Sequence, residues 1–207
     1  MLTDRMDLDI WEIIDAAGTK PFGFQAFYPG PGLGGHCLPI DPFYLNWRAK
    51  TKYDFEMRFV ELAGEINTAM PAYVVERTRQ ALLDDGTELK GAAVLILGMS
   101  YKKDISDIRE SPGLELMSLF DDREGATVTY HDPHVPVLPR TRKFSRFTGR
   151  ESVSLDGPNL AAADVVVIAT DHSLIDYELV GSQSVLVVDT RNAMKEVSAP
   201  AARIIKA

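Results

Sequence analysis

Ala92-Ala93-Val94-Leu95-Ile96-Leu97, closed by Gly98, is an unbroken apolar run of strand length, and three similar runs follow at Thr127–His131, 165–169 and 185–188. Continuous apolar, largely β-branched runs are what strands covered on both faces require. Helices are expected between them at 113–122, 159–163 and 173–179, and residues 203–205 can add an edge strand. Strands alternating with helices through short links imply parallel pairing and a doubly wound sheet. Residues 86–207 are therefore expected to form a Rossmann-like α/β domain.

Upstream the periodicity is helical. Residues 7–17 place Leu8, Ile10, Trp11, Ile13 and Ile14 on an amphipathic pattern, with Gly18 as a stop. Residues 19–40 hold too much glycine, proline and aromatic side chain for regular structure. Asp41 can cap a helix over 42–51. A longer helix is expected over 56–83, with a kink or break at Pro71, since proline removes an internal hydrogen bond. The fold class is thus α/β: a helical segment over 1–85, then the sheet domain, with the boundary at Asp84-Asp85-Gly86.

A net charge of -8 over 207 residues argues against general nucleic-acid binding. The single cysteine excludes a disulfide framework and suits a reducing cytoplasm. No apolar run reaches membrane-spanning length, and no signal-peptide pattern opens the chain. The basic stretch 140–150 is expected to be a solvated loop or hairpin.

The cysteine stands in Gly30-Pro31-Gly32-Leu33-Gly34-Gly35-His36-Cys37-Leu38-Pro39-Ile40-Asp41-Pro42. Such glycine density lets backbone approach a bulky ligand closely. It also argues against a core position for the thiol, which is placed as a nucleophile would be. Gly30, Gly32 and Gly35 match a G-x-G-x-x-G pattern, yet no strand precedes them and prolines postpone any helix, so the segment is not a dinucleotide finger. Neighbouring side chains in an extended loop point oppositely, so His36 is not expected to serve Cys37 as a base.

Ligands of open α/β sheets collect outside the carboxyl ends of the strands. There the sequence puts Lys102 and Arg109 after the first strand, His131-Asp132-Pro133-His134 after the second, Thr170-Asp171-His172 after the third and Asp189-Thr190-Arg191 after the fourth. The basic groups can hold a diphosphate; the alternative for Lys102 and Arg109 is a solvated surface. The histidines lack zinc-type spacing, and no metal is expected.

At these residues the chain resembles the UDP-glucose/GDP-mannose dehydrogenase family. Phe27-Tyr28-Pro29 through Cys37 to Leu45 is similar to its active-site signature, Leu97 to Pro112 to the start of its nucleotide-binding domain, and Val188-Asp189-Thr190-Arg191-Asn192 to a late turn. The resemblance implies NAD-dependent oxidation of the C6 alcohol of a UDP-hexose to a carboxylate. Cys37 would be the nucleophile, also facing the NAD, and Asp41 would help activate water. Phe27, Tyr28, Gly30, Gly32, Leu33 and Gly34 would wrap the substrate. Lys102 would contact its sugar or phosphate, Arg191 its nucleotide, and Arg109 the NAD phosphates. Gly-Gly-His-Cys is similar to the UDP-N-acetylhexosamine branch, with UDP-N-acetylglucosamine foremost, UDP-N-acetylmannosamine beside it and UDP-glucose as the alternative.

Family members begin with an NAD-binding domain, and their catalytic lysine and asparagine also lie upstream of the part that these residues resemble. The opening resembles the end of the family's central dimerisation helix. The resemblance therefore implies the C-terminal half of a homodimeric enzyme, without NAD-dependent activity on its own. Two other readings stand beside it: a nucleotide-binding module without catalysis, and, with no orienting residue identifiable, a cysteine hydrolase.

Overall fold

The computed structural model describes residues 1–207. Its first helices are α1 (Leu2–Arg5), α2 (Ile10–Gly18), α3 (Asp41–Tyr53) and α4 (Arg58–Asp84). Helix α2 starts later than its apolar pattern because Asp9 caps it, its carboxylate accepting the Trp11 N–H at 2.9 Å. Helix α3 includes Asp41 as its first residue, and Ile40 occupies the cap position without a side-chain bond. The expectation that Asp41 caps this helix is therefore corrected. The α3–α4 turn is fixed by Asn46, which accepts the Met57 N–H at 3.1 Å and donates to Glu61 at 3.0 Å.

Helix α4 runs through Pro71 without a break. The amide that proline lacks would have bonded the Asn67 carbonyl one turn earlier. That carbonyl instead faces the glycine loop, where a Cβ on Gly32 would stand 3.6 Å from it.

The sheet comprises β1 (Ala93–Leu97), β2 (Thr127–His131), β3 (Val165–Ile168), β4 (Leu186–Asp189) and β5 (Arg203–Lys206), all parallel in the order β2-β1-β3-β4-β5. Helices α5 (Pro112–Ser118), α6 (Gly157–Ala161) and α7 (Tyr177–Gln183) connect them. Strand side chains divide by their period of two. Val94, Ile96, Val165, Val167 and Val188 enter a core with Leu114, Phe120 and the α4 residues Val74, Val75 and Leu82. Leu95, Leu97, Val166, Ile168 and Val187 enter the opposite core with Leu160 and Val180. Each such aliphatic side chain contributes about 1.5–3 kcal/mol on burial. The second half of α4 thus belongs to the sheet's own core.

Two details depart from the sequence pattern. Strand β2 is an edge, with Thr127 and Thr129 exposed and Val128 and Tyr130 buried, so it alternates. Helix α7 begins only at Tyr177, because Asp176 caps it through the Leu179 N–H at 2.9 Å. The preceding Ser173 is held elsewhere, by Asp104.

Three of the five cations in the basic stretch pair with α5 and the turn after it. Lys143 pairs with Glu115 and Arg146 with Asp122, and Arg150 lies 3.3 Å from Asp121. The Arg146 and Arg150 guanidiniums lie 4.2 and 4.6 Å from the Phe147 ring centroid. No helix is long and apolar enough to cross a membrane.

Candidate active site

The glycine loop lies across the carboxyl edge of the sheet, held there by contacts only glycine permits. A Cβ on Gly34 would overlap the Tyr101 side chain and stand 2.7 Å from the Glu110 carbonyl oxygen. Gly35 donates its N–H to the Arg109 carbonyl at 2.8 Å. Gly30 lies on the Arg191 guanidinium, where a Cβ would come within 2.8 Å of Cζ. The glycines therefore serve first to bring the loop against the β1–α5 and β4 segments.

Beyond this contact the chain turns, and the Cys37 carbonyl accepts the Ile40 and Asp41 amides at 3.1 and 2.8 Å. The turn corrects the reading of His36. Its Nδ1 lies 2.8 Å from the Cys37 Sγ, because a turned backbone, unlike an extended one, lets adjacent side chains converge. Both residues are exposed. Asp107 pairs with Arg109 through its Nε (2.9 Å) and Nη2 (2.5 Å). That bond, with lesser help from Tyr101 and Cys37, holds the guanidinium above its ordinary pKa.

A cavity of about 680 Å³ opens beside the loop at the ends of β3 and β4, lined among others by Trp11, Tyr28, Lys103, Asp171, Tyr177 and Arg191. The Trp11 and Tyr28 rings stack at 5.4 Å and 13°. The Tyr28 hydroxyl donates to Asp15 at 2.8 Å, a bond that raises its pKa. Lys103 stands 3.6 Å from Asp171 and Lys195 stands 3.8 Å from Glu196. With Asp15, Asp176 and Glu178 also present, carboxylates outnumber cations in the lining.

Arg191 differs from those lysines. Its Nε donates to the Ala169 carbonyl at 3.0 Å, and no carboxylate lies within salt-bridge distance of it. Burial pushes its guanidinium below the ordinary pKa against the opposing fields of Asp171 and Asp189. A half-buried cation without a paired anion carries a desolvation cost, and an anionic ligand at this end relieves it. The turn that presents Arg191 is encoded locally: the buried Asp189 carboxylate accepts the Arg191 and Met194 amides, each at 2.9 Å.

The crevice between β1 and β3, where the strand order reverses, is filled by a polar network. Buried Asp132 accepts the Met99, Ser100, His134 and Val135 amides at 2.6–3.0 Å, and the His172 Nε2 at 3.2 Å. His172 Nδ1 accepts the Asp104 N–H at 2.9 Å, so the ring proton sits on Nε2. Burial would raise the Asp132 pKa, but the His172 and amide hydrogen bonds outweigh it and the pKa lies below the ordinary value. Ser100, His172 and Asp132 do not form a nucleophilic triad. Serine (2.9 Å) and aspartate meet the same ring nitrogen, whereas a triad uses both.

Asp104, His134 and His172 also converge, against the expectation from spacing, with side-chain donor atoms within 4.8 Å of one another. The His172 Nδ1 lone pair is committed to an amide, and the Asp104 carboxylate takes both the Ser173 N–H and hydroxyl at 2.7 Å. Only the His134 Nε2 is without a hydrogen bond, lying 3.7 Å from an Asp104 oxygen.

The sequence-derived residues are distributed as follows. Tyr28 and Arg191 line the large cavity. Gly32 and Leu33 line a smaller one of about 210 Å³ against α4, with Asn67. Phe27, Cys37, Asp41, Lys102 and Arg109 are exposed and line neither. At the large cavity the lysines are Lys103, neighbour to the expected Lys102, and Lys195. Trp11 and Tyr177 were not foreseen there; Trp11 sits on an apolar helical stripe that reads as ordinary core.

Comparison with known proteins agrees with this arrangement. The UDP-glucose/GDP-mannose dehydrogenase family matches twice, its central domain over residues 1–69 and its UDP binding domain over 95–196. An NDP-N-acetyl-D-galactosaminuronic acid dehydrogenase from Ralstonia solanacearum is 33% identical over 92% of this chain and 42% of its own length. The structure of UDP-D-ManNAc dehydrogenase from Pyrococcus horikoshii superposes on 99% of this chain and 45% of that one, with TM-score 0.79 and 27% identity. A UDP-glucose dehydrogenase from Pyrobaculum islandicum covers 98% of this chain, with 44% of its own length matched, at TM-score 0.75 and 28% identity. The chain spans about two fifths of the length of the curated relative. Two domain matches in family order, on a sheet and loop of this geometry, establish that the chain belongs to the UDP-glucose/GDP-mannose dehydrogenase family.

Proposed function

We propose that this chain carries the substrate half of an NAD-dependent dehydrogenase that oxidises the C6 alcohol of a UDP-N-acetylhexosamine to the uronate. UDP-N-acetylglucosamine or UDP-N-acetylmannosamine is the substrate, and UDP-glucose is the alternative. Residues 86–207 bind the nucleotide and residues 1–85 carry the reactive loop. Arg191 takes the diphosphate, the Trp11–Tyr28 stack borders the same cavity, and Lys103 replaces Lys102 as the nearer lysine. NAD, when bound, accepts a hydride at each of the two oxidations. Arg109 suits its phosphates, because the Asp107 pairing leaves Nη1 free.

The chain's own chemistry belongs to Cys37. After the alcohol has become an aldehyde, the sulfur adds to the carbonyl carbon, and the new oxyanion takes a proton. Loss of the second hydride from that carbon, with the hydroxyl proton, leaves a thioester. Water, activated by Asp41, then breaks the carbon–sulfur bond and returns the thiol. His36, at 2.8 Å, can take the thiol proton before addition. We place the NAD-binding portion beyond these residues and the homodimer contact on the exposed apolar side of α3 and α4, where Trp47, Phe59 and Leu62 face outward.

The observation that supports this reading most is the exposed thiol beside an imidazole on a loop docked at the strand ends. Cys37→Ala in the complete dehydrogenase should abolish uronate formation while UDP binding persists. Retained uronate formation would eliminate the covalent scheme. These 207 residues alone should bind UDP without producing NADH, and NADH production by them would refute the division of labour.

A further inference from the structure

We propose that Asn67 of α4 is a positioning residue for the reactive loop, holding the Cys37 thiol at its working place. The inference rests on the reading of Cys37 as nucleophile and extends it to a residue remote from the chemistry in sequence. The Asn67 Oδ1 accepts the Leu33 N–H at 2.7 Å, the one side-chain bond to the backbone between Pro29 and Ile40. The loop's other outward backbone bond runs from Gly35 to Arg109. The segment two to four residues before the thiol is therefore tied to two separate layers: the sheet's carboxyl edge through Gly35, and α4 through Leu33.

Three features make Asn67 suited to this task. A glycine-rich segment loses much conformational freedom on ordering, so its place must be set by bonds from outside. Asn67 supplies one from a helix whose later turns are anchored in the sheet core by Val74 and Val75. Pro71 frees the Asn67 carbonyl, so the residue presents two oxygens to the loop, 3.6 and 3.8 Å from where a Gly32 Cβ would lie. Because Leu33 can only donate, the contacting side-chain atom is the carboxamide oxygen, and its NH₂ group takes no part.

This donor logic gives the test a built-in rescue. Aspartate keeps an acceptor at the same reach, leucine keeps the volume without one, and alanine keeps neither. Hydrogen exchange at the Leu33 amide and the pH profile of Cys37 alkylation by iodoacetamide should be measured in Asn67→Ala, Asn67→Leu and Asn67→Asp, alongside kcat and KM of the complete dehydrogenase. Leu33 exchange should quicken about 5-fold in the alanine and leucine proteins, the worth of one ordinary hydrogen bond, with the alkylation profile and kcat altered and KM little changed. The aspartate protein should restore all three. Unchanged exchange in the leucine protein, or no rescue by aspartate, overturns the proposal; should alanine fail to fold, the leucine–aspartate pair still decides. Loss of the Cys37 reading would show differently, as turnover surviving Cys37→Ala while the exchange pattern at Leu33 holds.

Discussion

Replacing Asp132 by asparagine changes almost nothing in shape and reverses the chemistry of one buried atom. The Asp132 carboxylate is 2% exposed and meets only donors: four backbone amides and the His172 Nε2–H. An asparagine must turn its NH₂ toward one side. With its oxygen kept toward Met99, Ser100 and His172, it strands the His134 and Val135 amides against another donor. Each stranded buried donor costs about 1–3 kcal/mol, so about 4 kcal/mol of stability should be lost. At 2–4 °C per kcal/mol for a chain of this size, calorimetry at pH 7 should record a Tm lower by about 8–16 °C. The pH dependence has a definite sign. Because the folded pKa is depressed, the carboxylate's contribution is complete above the unfolded value near 4 and is lost as pH falls through the folded value. The gap between the two proteins should therefore narrow on acidification below about pH 4. A fall in Tm under about 2 °C at pH 7 would refute the account of the network, since less than one hydrogen bond would then be at stake.

Other perturbations follow from the same contacts. Arg191→Met keeps the length under Gly30 but removes the unpaired charge, and calorimetry should show UDP binding weakened about 10- to 100-fold; an unchanged Kd would remove Arg191 from the site. Gly34→Ala adds a methyl group where Tyr101 and the Glu110 carbonyl already stand. Overpacking of this kind costs about 1–3 kcal/mol or displaces the loop, so Tm should fall or Cys37 alkylation should change; if neither moves, the loop is not docked as described.

Much of the fold was legible because it depends on short-range patterns. Short apolar and β-branched runs place all five strands to within a residue; β1, β3 and β4 are buried on both faces, where polar side chains carry a cost, whereas β2 alternates as an edge. The Asp189 turn that presents Arg191 was likewise local, a carboxylate reaching amides two and five residues on. Legibility failed where a side chain's partner lay far along the chain. Ser173 has a helical pattern around it, and nothing nearby signals that Asp104, 69 residues away, claims its amide and hydroxyl. His134 and His172 are distant in sequence and lack ligand spacing, yet parallel β1, β2 and β3 bring their strand ends together.

The class of architecture, the family and a lone thiol on a glycine loop are legible in the chain alone, because strand runs, turn chemistry and a dense local motif are all written within a few residues. Only the tertiary structure decided which cations remain free and which side chains share a cavity. Lys103, Lys143, Arg146 and Arg150 find carboxylates and Arg191 finds none. Trp11 meets Tyr28, and Asn67 reaches Leu33 across 34 positions. Charge pairing and stacking act over a few ångströms of space, and which groups come that close is fixed by how helices and strands pack, not by their order along the chain.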